Sequence, residues 1–325
     1  VRSSAASDVY KRQVLKSGLM LFRIEDLWND TRANANIISI LQGYSDPRLE
    51  RWFATNNADI YSTDDELSPV VEKATKYLGV RQGVPMTRTE YQGYSKTSRV
   101  GIPEQGPRPV LRVAEAYFLR AEGMLRNWNM GDGTPESLYN EGIHSAWASV
   151  LGDESGWAGT YESYINGFIN TEEGGDFDWE LFEGGFGSAP YINYRNQEYN
   201  YYIEENGKQV GINRISVRWH DEDSPEKKLQ RIITQKWISF FPTLSSVAWT
   251  EYRRTGYPKL IPIPSDLNYS NGAIDTELQI RRLPFTQSEY RGNTEEVNKA
   301  LGLLKGPDNG GTRLWLSLIH ISGPT

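Results

Sequence analysis

Glu115 and Glu122 lie seven residues apart, in a stretch whose apolar residues recur at helical spacing. On a helix that separation puts both carboxylates on one face, about 10 Å from each other. Glycoside hydrolysis pairs its carboxylates at about 5 Å or about 6.5–9.5 Å across a cleft. Same-face glutamates fit that geometry less well than they fit a scaffold role, bonding neighbouring loops. A second acidic group, Thr171-Glu172-Glu173-Gly174-Gly175-Asp176-Phe177-Asp178-Trp179-Glu180, offers oxygen ligands to a hard cation but lacks the spacing of a calcium loop. It reads more simply as a solvated acidic loop. His144, His220 and His320 stand far apart, without metal-ligand spacing, and no metal or cofactor is expected. Arg253-Arg254 near a helix end could grip an anion. The simpler role is to oppose the negative helix terminus and pair locally, Arg254 with Glu251 one turn back.

The chain holds no cysteine, which removes disulfides, thiol nucleophiles and cysteine metal sites. Its net charge is −7 with Lys and Arg scattered, so electrostatic capture of nucleic acid is not expected. No run approaches the apolar length of a membrane span. Ten Trp and nineteen Tyr are generous for so polar a chain. Such rings can be core, or they can be stacking faces for sugars, whose flat C–H surfaces lie on Trp and Tyr while Asn, Asp, Arg and Gln bond the hydroxyls. Rings in loops are better placed for that than rings on helix stripes. The loop candidates are Tyr77, Tyr91 and Tyr94, with Arg81 as polar partner, and then Trp157, Trp179, Tyr191 and Tyr194.

The elements that must position these residues are helical. Ser224 to Pro258 reads as two helices: Ser224 an N-cap, Pro225 at the first helical position, Leu229, Ile232, Ile233 and Phe240 on one face, and Trp237 flanking. Pro242 ends the first helix. The second carries Leu244, Ala248 and Tyr252, with Trp249 beside them, and stops at Gly256. Leu111, Ala114, Phe118, Ala121, Leu125 and Trp128 mark another helix, widened by Val110, Val113, Tyr117 and Met124. A Thr134 cap starts its partner, with Tyr139, Ile143, Ala146, Trp147, Val150 and Leu151 inward. Shorter helices are expected over Gly159–Phe168 and from Thr294 to near Gly302. Asn56 to Gly106 reads as ordered loop, and Ile212 to Trp219 alternates as a strand would.

Gln235-Lys236-Trp237-Ile238 followed by Glu251-Tyr252-Arg253-Arg254-Thr255-Gly256-Tyr257-Pro258 resembles the C-terminal signature of the SusD/RagB nutrient-capture lipoproteins. Asp46-Pro47-Arg48-Leu49 and the Ala-Glu dipeptides Ala114-Glu115 and Ala121-Glu122 are similar to the same family. The resemblance implies a mainly α chain of tetratricopeptide-like helical hairpins with long irregular loops and little β. It implies a binding protein, not an enzyme: one that captures oligosaccharide at the outer membrane and passes it to a SusC-like TonB-dependent porin. Oligopeptide capture, as in RagB-like members, is the alternative cargo, and a glycoside hydrolase the rival class. The resemblance also implies a lipid anchor outside this stretch of sequence as the sole tie to the membrane. It places the ligand platform in loops ahead of the Leu111 helix pair, which favours Tyr77, Arg81, Tyr91 and Tyr94. Val1–Gln13 and Leu316–Thr325 read as translated sequencing-adapter strings, leaving 14–315 as an N-terminally truncated SusD-like domain.

Overall fold

The computed structural model describes residues 31–55, 77, 79–80, 82, 91, 94–96, 109, 111–166, 203–205, 208–210, 215–263 and 267–314. The two terminal strings and most of Asn56–Gly106 lie outside these residues.

Helices dominate. In chain order they are α1 (Ala35–Gly43), α2 (Arg48–Trp52), α3 (Val113–Leu125), α4 (Pro135–Leu151), α5 (Ala158–Ile165), α6 (Pro225–Ser239), α7 (Ser245–Thr255), α8 (Gln287–Gly292) and α9 (Thr294–Leu303). One antiparallel hairpin, β1 (Ile203–Glu205) on β2 (Lys208–Val210), pairs Ile203 with Val210.

The pair α3–α4 forms as its pattern dictates. Thr134 and Ser137 build a capping box at the start of α4, each side chain satisfying the other's backbone N–H. Ala114, Phe118 and Ala121 face Leu138, Tyr139, Ile143, Ala146 and Trp147 in one core. The helices approach closely because Gly142 has no side chain: a Cβ there would sit 2.6 Å from the Phe118 ring. Leu111 and Trp128, expected on the stripe, are 67 % and 61 % exposed, and Val113 is exposed as well. Leu111 and Trp128 flank a helix that spans only Val113–Leu125, so the helical period no longer governs where they point.

Across this pair lies α6. Ser224 caps it by accepting from the Lys227 backbone N–H, and Ile232, Ile233 and Ile238 enter the core. Its polar residues Arg231, Thr234, Gln235 and Lys236 are buried too, so each must find a partner inside the protein. After a turn through Pro242, α7 follows and ends on Gly256, whose φ of 77° gives the left-handed cap that glycine tolerates without strain. These hairpins form the tetratricopeptide-like helical layer.

The expected strand at Ile212–Trp219 is a correction. Ile215, Val217 and Trp219 do turn inward, but residues 215–220 adopt no strand. Side chains take the place of a neighbouring strand. Tyr44 Oη donates to the Ile215 carbonyl at 2.7 Å, Tyr139 Oη to that of Val217 at 2.7 Å, and Arg231 Nε to that of Ser216 at 3.0 Å. Burial pushes the Tyr139 hydroxyl well above its ordinary pKa, which keeps it a donor at every physiological pH. Tyr139→Phe leaves a buried carbonyl unpaired and is expected to lower stability by about 1–3 kcal/mol in equilibrium urea unfolding. A loss within the error of the wild-type curve would mean that the carbonyl finds another donor.

Candidate functional site

Two of the charged groups that first suggested chemistry, Glu122 and Arg254, are committed to holding helices together. Glu122 on α3 receives Arg254 from α7 in a two-pronged contact, 2.6 Å at Oε1 and 2.7 Å at Oε2, and Arg126 at 2.8 Å. Arg254 also reaches Glu251 at 2.7 Å, the local pairing expected from sequence, and Glu251 meets the buried Lys236 at 3.3 Å. Burial alone would push the Glu122 carboxyl up; the Arg254 hydrogen bonds and charge, with those of Arg126, outweigh it and hold the group below the usual carboxylate range. Glu115 moves the opposite way, raised chiefly by burial against the opposing pull of Lys236. A carboxylate held by two guanidinium groups is a fixed anion, unsuited to shuttling a proton.

A second committed cluster lies between α2, α5 and α6. Asp46 accepts from Arg48 at Nε (2.9 Å), Nη2 (2.6 Å) and the backbone N–H (2.9 Å), and from the Tyr164 hydroxyl at 2.9 Å. Gln235 Nε2 donates to Tyr164 Oη at 3.1 Å. The side chains of Asp46 and Arg48 are both fully buried.

Several loop rings chosen from the sequence are core residues, which corrects their expected exposure. Tyr77 and Tyr94 are buried, and the Tyr77 carbonyl accepts from Gln42 Nε2 at 3.4 Å. Trp157 is 6 % exposed and packs against Trp147, Tyr161 and His144, with ring centroids 5.8, 5.8 and 5.1 Å away. Tyr91 is half-buried, with the Arg32 guanidinium 5.3 Å from its ring centroid. Arg81, Trp179, Tyr191 and Tyr194 lie outside the described residues, as does the acidic loop Thr171–Glu180.

Among the described residues, a cavity of about 370 Å³ opens where α1 meets the α6–α7 hairpin. Its walls are Ile37, Trp237, Phe240, Phe241, Pro242, Ala248, Trp249, Tyr252 and Leu260; its polar groups are Asn34, Asn36, Gln82, Ser245 and Gln279. None of these fourteen side chains is charged. The volume lies at the small end of the range of ligand pockets, about 300–1,000 Å³, and aromatic walls with a few amides are their usual lining.

Each lining group is positioned by the fold. Asn34 caps α1 by accepting from the Asn36 N–H at 2.8 Å, and the Asn36 carboxamide oxygen accepts from the Ile261 N–H at 2.7 Å. Trp249 is fixed by its Nε1 donating to the Ile280 carbonyl at 3.2 Å and by Arg253 stacked 3.8 Å from its ring centroid. Tyr252 Oη donates to the Glu277 carbonyl at 2.8 Å, and burial pushes that hydroxyl up to about 12. Gln279 sits in the left-handed backbone region with φ 53°, uncommon for a side chain with a Cβ, and its Nε2 is buried without a hydrogen-bond partner among the described residues. Sequence reasoning missed this cavity. Its one legible sign was a pair of tryptophans, Trp237 and Trp249, flanking the apolar stripes of consecutive helices rather than lying within them.

The profile of the SusD-like family, "Susd and RagB outer membrane lipoprotein", matches residues 6–164 and 186–317. No curated protein sequence matches. Among solved structures, a chitin-binding SusD homolog from Flavobacterium johnsoniae is 34 % identical with TM-score 0.64, covering 91 % of this chain and 51 % of its own. A SusD homolog from Bacteroides vulgatus is 32 % identical with TM-score 0.65, covering 90 % and 50 %. One from Bacteroides thetaiotaomicron is 28 % identical with TM-score 0.66, covering 91 % and 53 %. The chain thus spans about half the length of the solved structures it matches.

Proposed function

We propose that this chain, which belongs to the SusD-like family of SusD and RagB outer membrane lipoproteins, binds glycan in nutrient uptake. The full protein holds an oligosaccharide at the outer face of the outer membrane, performs no covalent step, and hands the cargo to a SusC-like TonB-dependent porin. The observation that carries this reading is an uncharged cavity walled by rings and fringed by carboxamides. Stacking faces and amides hold hydroxylated rings without activating them. Of the two carboxylates weighed for acid–base work, Glu122 is instead bound by Arg254 and Arg126. A relative sharing a third of its residues is described as chitin-binding, which supports a glycan as cargo.

Calorimetry of the full chain against oligosaccharide and oligopeptide pools, with product analysis after long incubation, tests this. Saturable binding of oligosaccharides without cleavage is the expected result. Binding of peptides alone would favour the RagB-like cargo, and release of shorter sugars would overturn the non-catalytic reading.

The loop rings belong to the proposal as a second contact surface: Tyr91, with Arg81, Trp179, Tyr191 and Tyr194. Tyr91→Ala is expected to weaken oligosaccharide binding about tenfold, near the value of one aromatic contact of about 0.5–1.5 kcal/mol. Unchanged affinity would remove Tyr91 from that surface.

A further inference from the structure

Resting on the reading of the α1/α6–α7 cavity as a glycan site, we infer that Arg253 is a positioning residue for it, presetting the Trp249 ring on which the ligand stacks. The two consecutive arginines near the end of α7 serve different partners. Arg254 reaches α3 through Glu122, whereas Arg253, one helical turn beyond Trp249, lays its guanidinium 3.8 Å from the Trp249 ring centroid. Trp249 lines the cavity and Arg253 does not. A guanidinium at that distance shuts one face of the indole to any ligand, so the cavity meets only what Arg253 leaves open.

The stack is itself tied down. Arg253 Nη1 donates to the Arg281 carbonyl at 3.1 Å, and Trp249 Nε1 donates to the preceding carbonyl, that of Ile280, at 3.2 Å. Tyr252 adds a bond from its hydroxyl to the Glu277 carbonyl at 2.8 Å. Side chains of α7 thus grip residues 277–281, a strap that also carries Gln279 into the cavity wall. The strap is anchored on its other side too, since the backbone N–H groups of Arg281 and Arg282 both donate to the Gly310 carbonyl, at 2.7 and 3.3 Å. The Trp249 ring therefore has a fixed edge and a covered face before ligand arrives. A ring already ordered loses no rotamer freedom on binding, a saving equivalent to about two- to tenfold in affinity. Arginine suits this post because its planar fork stacks on an aromatic face and still donates along its edge. The compact point charge of a lysine does not do both.

A double-mutant cycle on the full chain tests the role, because a residue that acts through Trp249 has nothing left to do once Trp249 is gone. Calorimetry uses the linear β-linked tetramers of glucose, mannose and N-acetylglucosamine as probes, and the cycle is run with the tightest binder. Trp249→Ala is expected to weaken binding about tenfold. Arg253→Met, which keeps the stem and loses the planar guanidinium, is expected to weaken it about threefold. The double variant is expected to bind no more weakly than Trp249→Ala alone. Arg253→Lys is expected to stay near the Arg253→Met affinity, and it runs the same cycle if circular dichroism shows Arg253→Met unfolded. A merely structural arginine predicts an earlier melt and a loss that multiplies with that of Trp249→Ala. That multiplication, or wild-type affinity in Arg253→Met, overturns the positioning role while the cavity stands as the site. Wild-type affinity in Arg253→Lys overturns the planar stack as what holds the ring. If Trp249→Ala itself binds as the wild type does, the cavity and this inference fall, and glycan capture elsewhere on the molecule stands. Failure of the wild-type chain to bind any of the tetramers overturns the glycan reading and this inference together.

Discussion

Asp46→Ala is expected to lower the unfolding free energy of the full chain by about 3–5 kcal/mol, the cost of breaking a buried ion pair from one side. The size follows from what is left behind. Arg48 has no exposed side-chain surface, and its only carboxylate among the described residues is Asp46. With Asp46 present, the attraction and hydrogen bonds of that carboxylate outweigh the burial that would lower the Arg48 pKa and hold it above the ordinary value. Arginine does not neutralise itself at any accessible pH, so the variant carries a buried, uncompensated cation. Tyr164 loses its acceptor in the same substitution, and the link through Gln235 to α6 loses its anchor. A second variant separates charge from packing. Asp46→Leu combined with Arg48→Met removes both charges and is expected to recover most of the loss, because a buried pair gains little over well-packed apolar groups. Equilibrium urea unfolding measures both. An Asp46→Ala cost no larger than that of an ordinary surface change, about 0.5 kcal/mol, would show that water reaches Arg48 after all.

How much of this was legible beforehand depends on whether a residue's environment is set by its neighbours in sequence. Ala114, Phe118 and Ala121 repeat at helical spacing and are buried as that spacing requires. The Thr134 and Ser224 caps and the Gly256 stop are local features too, and they lie where the residue types put them. Arg254 with Glu251 is a one-turn pairing and was readable; Arg254 with Glu122 joins residues 132 apart and was not. The alternation from Ile215 to Trp219 correctly turns Ile215, Val217 and Trp219 inward, although Ser216 between them is buried as well. It is silent on whether a strand or a set of tyrosine hydroxyls satisfies the backbone, because both leave the same two-residue period. The cavity is the extreme case: Asn36 and Gln279 meet only after the chain has folded, and nothing around either residue announces it.

The ring most misread in this way is Trp157, and Trp157→Ala is expected to cost about 3–5 kcal/mol of stability, the range for deleting a large buried aromatic. Its neighbourhood supplies the reason. Composition around it, Gly152-Asp153-Glu154-Ser155-Gly156, is that of a loop, so the sequence places an aromatic in a turn. In the structure the turn is a single 3₁₀ coil, Glu154–Gly156, that tips Trp157 back under α4 to cap the start of α5. There it completes a four-ring cluster with Trp147, Tyr161 and His144, while its Nε1 donates to the Gly152 carbonyl at 3.2 Å. Truncation would leave a cavity beside the fully buried Trp147 and an unpaired carbonyl, and the helices on either side cannot close over both. The decisive comparison sets stability against affinity. If Trp157 is core, the alanine variant melts earlier in a thermal scan, yet below its transition it binds oligosaccharide as the wild-type chain does. A ligand-stacking role predicts the reverse: an almost unchanged melt and an affinity about tenfold lower, near one aromatic contact of about 0.5–1.5 kcal/mol. That second outcome would return Trp157 to the binding surface and require the turn at Gly152 to open when ligand arrives.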